Sequence, residues 1–205
     1  MVILDITKKK LNYLITFDTG EVIVSNEDTI IEYYLRKGKE VDDTLYQKIK
    51  EDSLFYEFYE KALNYLSKGL CSKTRIKLFL AKKGANNDEI NRAIKLLENK
   101  NLINDLDYFT SLSDYYIRKN YGPFYIKNKG REEQIDSNII DEVMSYYTED
   151  DYVSHIELLI EKYIKTNKEN DIKKLKDKLK KYLYQRGFSM EQIISKVEGF
   201  NYEDR

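Results

Sequence analysis

Apolar residues in the C-terminal part of the chain are spaced as two amphipathic helices separated by a glycine. Leu179 and Leu183 lie one helical turn apart, which places both on one face. Gly187 ends this helix, because glycine readily adopts the left-handed conformation common at helix C-termini. Ser189 is a candidate N-cap for the next helix. The apolar face of that helix consists of Ile193, Val197 and Phe200.

The same spacing of apolar residues occurs at two earlier places. Each copy follows a further amphipathic stretch, so a unit of three helices recurs roughly every 50 residues. Such a unit buries its own apolar face poorly, and consecutive units should stack. The pattern predicts a mostly α fold, a tandem array of three three-helix repeats. The upstream copy is Ile76, Leu80, Gly84, Ile90, Ile94 and Leu97, and the middle copy is Ile126, Gly130, Gln134, Ile140, Met144 and Tyr147.

The first 25 residues have a different pattern from the rest of the chain. Short β-rich runs, Val2 to Ile6, Leu11 to Phe17 and Glu21 to Val24, are separated by the cluster Lys8 to Lys10 and by Asp18-Thr19-Gly20. They predict a small antiparallel meander with a tight turn at Thr19-Gly20. Aspartic proteases also use Asp-Thr-Gly, but two such aspartates must face each other in a larger β structure. We interpret the triplet as a hairpin turn.

Helix signals follow the meander. Ser25 and Asp28 have the spacing of a capping box that opens a helix from Glu27 to about Lys37, and Gly38 ends it. Asp42 or Asp43 is the candidate N-cap of the next helix. The predicted domains are residues 1–50, a β-hairpin and helix module; residues 51–101, the first three-helix repeat; residues 102–149, the second; and residues 150–205, the third.

The sequence makes specific predictions at several positions within the repeats. The aromatic segment from Phe55 to Tyr59 has helical spacing and is interpreted as core, with stacking on single-stranded bases as the alternative. Gly130 stands where the sister repeats have leucine, which predicts a gap in the packed face and a short or mobile helix. The long polar connection from Lys165 to Asp171 predicts that the middle helix of the third repeat projects further. Candidate helix starts are Ser72, Asn104 or Asp105, and Pro123.

The cysteine content and the distribution of apolar residues indicate the cellular compartment of the protein. The 205 residues include one cysteine, Cys71, which excludes an internal disulfide and favours a reducing environment. The chain has no apolar run of about 20 residues and no signal-peptide layout at its start. We therefore expect a soluble cytoplasmic protein that does not enter a membrane.

Charge is segregated along the chain, although the net charge is only -1. The segment from Glu132 to Glu161 carries ten acidic residues and no lysine or arginine, whereas Lys162 to Arg186 carries ten basic and three acidic residues. Such blocks are typical of partner-binding surfaces, and also of solvated helix faces. A second basic group lies around Gly122-Pro123 and consists of Arg118, Lys119, Lys127, Lys129 and Arg131.

Catalytic patterns are missing from the sequence. His155 is the single histidine, and the chain has neither a glycine-rich phosphate loop nor a Gly-x-Ser-x-Gly motif. One histidine and one cysteine are too few for a metal site built on those ligands. The pattern indicates a binding protein with no catalytic residue, no metal and no cofactor.

Four stretches of the sequence resemble the RecX family, the regulators of the recombinase RecA. They are Ala62 to Ser67 with Ser72 and Leu80 to Gly84; Leu102 to Tyr108; Gly122 to Ile126; and Lys178 to Ile193, above all Arg186-Gly187-Phe188-Ser189. Three positions depart from the family pattern: Cys71 replaces an arginine, Arg75 replaces a glutamate, and the second repeat lacks Lys-Gly-Ile. The last two departures affect local surface and packing, not the fold.

The resemblance implies an elongated, curved array of nine helices that lies in the groove of the RecA–DNA filament. There it would bridge protomers, impede filament extension or promote disassembly, and lower the ATPase, strand-exchange and co-protease activities of RecA without enzymatic activity of its own. We expect a monomer that binds the RecA filament, with contact to single- or double-stranded DNA. Charge alone selects the candidate partner-binding residues Lys173, Lys176, Lys180 and Arg186 in the third repeat and Arg118, Lys127 and Arg131 in the second.

A helical DNA-binding protein that acts independently of RecA is the main alternative, with the three-helix units serving as helix-turn-helix modules. It predicts DNA binding that weakens steeply with salt. The net charge of -1 counts against it, because dedicated DNA readers are usually basic. An unrelated scaffold protein is a weaker alternative, and an enzyme the weakest.

Overall fold

The computed structural model describes residues 1–9 and 12–202. Lys10 of the lysine cluster, Leu11 of the second predicted strand and the last three positions of the third predicted repeat lie outside the described residues. The chain divides into two units. The first comprises Met1–Leu70 and Arg75–Leu102, and the second comprises Cys71–Thr74 and the chain from Ile103 onward. No helix in the described part is both long enough and apolar enough to cross a membrane.

The first unit begins with a three-stranded antiparallel sheet in the order β1-β2-β3, as the meander prediction requires. The strands are β1 Ile3–Lys9, β2 Asn12–Phe17 and β3 Val22–Ser25. Gly20 has a φ of 85° in the turn between β2 and β3, which confirms the hairpin interpretation of Asp-Thr-Gly. One face of the sheet is covered, and Ile15 and Phe17 are fully buried there.

The helix after the sheet is shorter than predicted. Helix α1, Glu27–Glu32, has six residues, and its N-cap is Asn26, whose side chain accepts a hydrogen bond from the Thr29 N–H at 2.9 Å. Ser25 is instead the last residue of β3, so the predicted cap was wrong by one position. The helix stops well before Gly38, because the chain turns at Tyr34 (φ 48°) to bury Leu35 in the core under the sheet.

Helix α2, Asp43–Leu66, is one continuous helix of 24 residues. Asp42 is its N-cap and accepts a hydrogen bond from the Leu45 N–H at 2.7 Å, which decides between the two candidate caps. Ile49 packs in the core under the sheet, and Phe55, Phe58 and Tyr59 are also buried, as the core interpretation predicted. The helix runs through the proposed boundary at residues 50 and 51, and the division into domains stays a prediction. Helices α3, Lys73–Lys82, and α4, Asn87–Asn99, follow.

A buried carboxylate joins three segments of the first unit. Asp52 on α2 accepts hydrogen bonds from the Tyr33 hydroxyl at 2.6 Å and from Arg92 Nη2 at 2.5 Å. The Arg92 guanidinium, on α4, also lies 4.1 Å from the centre of the Phe55 ring. Burial and the bond to Asp52 raise the pKa of Tyr33. The network ties the end of α1 and helix α4 to α2.

The second unit contains two groups of three helices. Helices α5, Asp105–Arg118, α6, Pro123–Glu132, and α7, Ser137–Ser145, surround one core; α8, Glu149–Thr166, α9, Ile172–Gln185, and α10, Met190–Gly199, surround another. Asn104 caps α5, Pro123 opens α6, and Ser189 caps α10 in a capping box with Gln192. Helix α9 has 14 residues where α3 and α6 have ten each, in agreement with the longer projection predicted for it.

The same helix-ending turn occurs in all three copies of the repeat. Gly84, Gln134 and Gly187 have φ values of 94°, 55° and 91°. In each copy the N–H of the next residue donates to the carbonyl five positions earlier, at 3.1, 3.0 and 3.4 Å. This is the hydrogen bond of the Schellman motif, which satisfies carbonyls at a helix C-terminus. The predicted apolar positions of these copies are buried except for the partly buried Phe200.

The gap predicted beside Gly130 does not exist. A Cβ placed on Gly130 would lie 2.7 Å from Cε2 of Phe109 and 2.9 Å from Cδ1 of Ile140. The Phe109 ring, fully buried on α5, occupies the space that leucine fills in the sister repeats. Helix α6 is as long as α3, so the expectation of a shortened helix was wrong. Glycine is present here because a large ring on the facing helix needs the room.

Gly130→Ala should therefore destabilise the protein by about 1–2 kcal/mol, because overpacking outweighs the gain in helix propensity. The measurement is the free energy of unfolding in urea. Gly199→Ala is the matched control, since no atom lies within 4 Å of a Cβ at Gly199 near the end of α10. The control should be neutral or stabilise by about 0.5 kcal/mol. Equal stabilisation by both substitutions would contradict the crowding by Phe109.

Candidate partner-binding surface

The N-terminus of α6 meets the C-terminus of α9 at a direct backbone junction. The Gly122 N–H donates to the Arg186 carbonyl at 2.8 Å, and the Phe124 N–H donates to the Gly187 carbonyl at 3.0 Å. The first N–H groups of a helix and the last carbonyls of a helix have no partner within their own helices. Here two N–H groups at the start of α6 bond to the two carbonyls that follow α9, and Pro123 between the two donors needs no acceptor. The junction fixes the second repeat against the third.

Two glycines make this approach possible. A Cβ on Gly122 would overlap the carbonyl of Gly187, and a Cβ on Gly187 would overlap the backbone of Tyr125. The sequence patterns identified Gly187 as a helix stop and Gly122-Pro123 as a chain break. They did not indicate that the two segments touch, because residues 65 positions apart carry no joint periodicity. The Gly-Pro and Arg-Gly-Phe-Ser motifs lie at this junction.

Arg186 is held within the same junction. Its guanidinium carbon lies 4.7 Å from the centre of the Tyr121 ring and 5.3 Å from that of Tyr182. Its Nη1 donates to the Lys119 carbonyl at 3.2 Å. The side chain therefore has a structural role between the two repeats. Contact between Arg186 and a partner stays a prediction.

The lysines of α9 are partly neutralised by α10. Lys176 and Lys180, one turn apart, both donate to the Glu198 carboxylate at 2.7 Å. These two hydrogen bonds lower the pKa of Glu198 to about 2, so the carboxylate is charged at neutral pH. Lys173, at the projecting end of α9, is exposed, and within the described part of the chain no carboxylate lies within 4 Å of its amine. The structure thus brings two of the four α9 candidates together and leaves Lys173 apart.

The basic residues of the second repeat are separated from one another. Lys127 donates to Asp141 on α7 at 2.9 Å and thereby lowers the pKa of that carboxyl. Arg131 donates from Nη1 to Asn128 Oδ1 at 2.7 Å. Arg118 ends α5, is exposed, and has no ion pair with the described residues. Arg118, Arg131 and Lys173 are the exposed candidates that have no ion pair with the described residues and so remain available for an anionic partner.

Most acidic residues between Glu132 and Glu161 have structural partners. Asp136 and Asp151 satisfy backbone N–H groups at the starts of α7 and α8. Glu157 accepts from Lys196 at 2.6 Å, and Glu132 from Lys129 at 2.6 Å. The segregation seen along the sequence is therefore largely compensated in the fold, by helix capping and by pairs between helices. A continuous acidic binding face does not follow from the block.

The single histidine takes part in packing. His155 Nδ1 lies 2.8 Å from the Tyr147 hydroxyl, which donates to the Tyr121 carbonyl at 3.1 Å. Burial lowers the pKa of His155, so the imidazole is neutral at pH 7. Within residues 1–9 and 12–202, no group of three or more His, Cys, Asp or Glu side chains is arranged to hold a metal ion.

These features define the class of the molecule: a helical-repeat protein with a small N-terminal antiparallel sheet, whose second and third repeats are joined by a glycine junction. A sequence model of the RecX third three-helix domain matches residues 149–195, which begin at the first residue of α8. Regulatory protein RecX of Streptococcus uberis is 31% identical over 205 residues, covering 97% of this chain and 76% of the relative. Regulatory protein RecX of Enterococcus faecalis is 28% identical over 196 residues, covering 93% and 72%.

A crystal structure of regulatory protein RecX has the same fold, with a TM-score of 0.85 over 97% of this chain and 99% of that chain, at 23% sequence identity. The chain belongs to the RecX family of regulatory proteins. The resemblance identified from the four motifs is thereby confirmed.

Proposed function

We propose that this protein regulates the recombinase RecA by binding the RecA–DNA filament, without catalysing a reaction of its own. Membership of the RecX family, with similarity over 97% of the chain, is the observation that carries this proposal. In this function the helical repeats lie in the filament groove and contact neighbouring protomers. Filament extension is then impeded, and the ATPase, strand-exchange and co-protease activities of RecA fall.

The arrangement of charge supports a protein–filament contact. Lys173 and Arg118 are exposed cations of the second unit without an ion pair to the described residues. Lys176 and Lys180 share one carboxylate, Glu198, which leaves their pair with a net positive charge. Exposed cations of this kind steer a protein toward an anionic surface and add modest affinity there. A RecA filament on DNA presents carboxylates and phosphates to such cations.

The proposal is tested by the single-stranded-DNA-dependent ATPase rate of RecA from the same organism, titrated with this protein at fixed salt. We expect the rate to fall at protein concentrations well below that of RecA, because a filament blocked at one point stops growing. No effect at equimolar protein would contradict the proposal. If the protein also bound bare DNA tightly, with affinity falling steeply with salt, the independent DNA-binding function would replace it.

The charge contribution is tested by combining Lys173→Glu with Arg118→Glu. Two reversed charges should raise the concentration required for half-inhibition about tenfold, which corresponds to about 1.4 kcal/mol. Lys48→Glu combined with Lys50→Glu is the matched control, since both lysines are exposed on α2 in the first unit and have no ion pair with the described residues. Equal loss in the variant and the control would indicate a general effect of net charge.

A further inference from the structure

A groove lined by exposed apolar side chains lies beside the glycine junction. It has a volume of about 390 Å³ and lies between α6 and the turn from α9 to α10, with Gly187 and Phe188 among its lining residues. Phe124, Tyr184 and Met190 line it and are 56%, 61% and 46% exposed. Large apolar side chains gathered at one exposed site usually mark an interaction surface.

The fold itself does not require these three side chains. All three repeats have the same helix-ending turn, so equivalent surface positions can be compared within the one chain. The sister repeats have small or polar residues at every equivalent position and form the same local structure. The position of Phe124 corresponds to Thr74 and Asp177, that of Tyr184 to Ala81 and Arg131, and that of Met190 to Asn87 and Ser137.

The rim of the groove carries positive charge. Arg131 donates to Asn128, which lines the groove, and Lys181 lies one turn before Tyr184 on α9. Among the described residues no carboxylate lies within 4 Å of either cation. Glu191, next to Met190, is the opposing charge at the α10 end. The groove therefore combines an apolar centre with a mainly basic rim on the α6 and α9 sides.

We propose that this groove docks a short segment of the recombinase, one that carries an aromatic or aliphatic anchor flanked by carboxylates. The inference rests on the proposed function and names the contact through which it acts. Aromatic side chains such as Tyr184 contribute disproportionately to protein interfaces, and methionine adapts its shape to an apolar partner. The carboxylates of the segment would pair with Arg131 and Lys181 at the rim.

A protein segment fits the groove better than a nucleic-acid strand. Bases could stack on Phe124 and Tyr184, but a strand also needs cations spaced along its backbone. The lining side chains beside these two rings, Met190, Phe188 and the amides of Asn128 and Gln185, are uncharged, and the two rim cations, Arg131 and Lys181, are too few to follow the phosphates of a strand. An apolar anchor with acidic flanks matches both the centre and the rim.

The test measures binding of the protein to RecA filaments assembled on single-stranded DNA with a slowly hydrolysed ATP analogue, together with inhibition of the ATPase. Phe124→Ser combined with Tyr184→Ser should weaken binding roughly 10- to 100-fold, since each removes an exposed aromatic anchor. Both residues are exposed, so the variant should unfold at the same urea concentration as the wild type. Leu78→Ser is the matched control, because Leu78 is 66% exposed on α3 and lies outside the groove.

The outcomes separate this inference from the proposed function. A wild-type protein that neither binds nor inhibits the filament overturns the proposed function and the docking site with it. A wild-type protein that inhibits, with a double variant that inhibits equally well, overturns the docking site alone.

The occupant is identified with a benzophenone amino acid in place of Tyr184. Irradiation of the filament complex should cross-link position 184 to a recombinase peptide that contains carboxylates. A cross-link to the DNA strand, or loss of bare-DNA binding in the double variant, would show a nucleic-acid occupant and overturn the inference.

Discussion

Replacing Gly187 by alanine should destabilise the second unit by roughly 3–4 kcal/mol. Two costs combine at this position. The φ of 91° is strained for any residue with a Cβ, at a cost of about 1–2 kcal/mol. In addition, the new methyl group would overlap the backbone of Tyr125, so α6 must move away from the end of α9. The hydrogen bond from Phe124 N–H to the Gly187 carbonyl would then be weakened as well.

Gly84→Ala separates these two costs. Gly84 ends α3 with a φ of 94°, in the same turn, but no atom lies within 4 Å of a Cβ placed there. This control should lose only the conformational part, about 1–2 kcal/mol. The measurement is the urea dependence of unfolding for both variants, with amide hydrogen exchange in α6 and α9 as a local report. Equal destabilisation by the two substitutions would mean that the junction does not need glycine at position 187.

The repeat pattern could be predicted from sequence because it depends on local spacing. Ile126, Ile140 and Met144 are buried since residues three, four and seven positions apart share a helix face. Likewise, Gly187 ends its helix because the left-handed conformation is a property of that residue and its immediate neighbours. Each of these two predictions concerns one helix or one turn, and the structure confirms both.

Contacts between distant residues could not be predicted in the same way. Gly130 was expected to leave a gap, because its spacing does not show that the Phe109 ring fills the space from another helix. Helix α1 was expected to continue to about Lys37, because its local composition does not show that Leu35 is needed in the sheet core. In both cases tertiary packing decided between locally acceptable structures.

The distribution of charge along the chain can be read from the sequence, but which charged residues form an exposed surface cannot. The block from Lys162 to Arg186 is basic in sequence, yet Glu198 lies beyond it and binds two of its lysines. Arg186 meets the aromatic rings of Tyr121 and Tyr182. Whether a charged residue faces solvent or a neighbour depends on how helices pack. The number of charged residues in a segment therefore overstates the electrostatic field at the surface. The exposed side chains of the groove were missed because they lie on three separate elements.

The second large loss of stability is expected when Asp52 is replaced. Its side chain is only 7% exposed, whereas that of its partner Arg92 is 49% exposed. Asp52→Ala removes the acceptor for both Arg92 and the Tyr33 hydroxyl. Breaking a fully buried ion pair costs about 3–5 kcal/mol, chiefly because one charge is left without a partner. Since Arg92 can regain water on its exposed side, we expect a smaller loss, about 2–3 kcal/mol in the free energy of unfolding.

Glu57→Ala on the same helix is the matched control. Glu57 pairs with Lys61 at 2.5 Å, but both side chains are well exposed, at 59% and 35%. Exposed pairs four residues apart on a helix contribute about 0.3–0.5 kcal/mol, so this variant should remain close to the wild type. The two substitutions thus remove one carboxylate each from α2 and differ in burial.

A double-mutant cycle with Arg92→Ala then measures the Asp52–Arg92 coupling itself. We expect a coupling energy of about 1 kcal/mol or more, because the two groups share a hydrogen bond and little water reaches the carboxylate. A coupling near zero, with Asp52→Ala no more harmful than Glu57→Ala, would show that the network adds nothing to stability. A large coupling would show instead that α4 is held to α2 by this carboxylate as well as by apolar contact, because the Arg92 guanidinium also packs on Phe55.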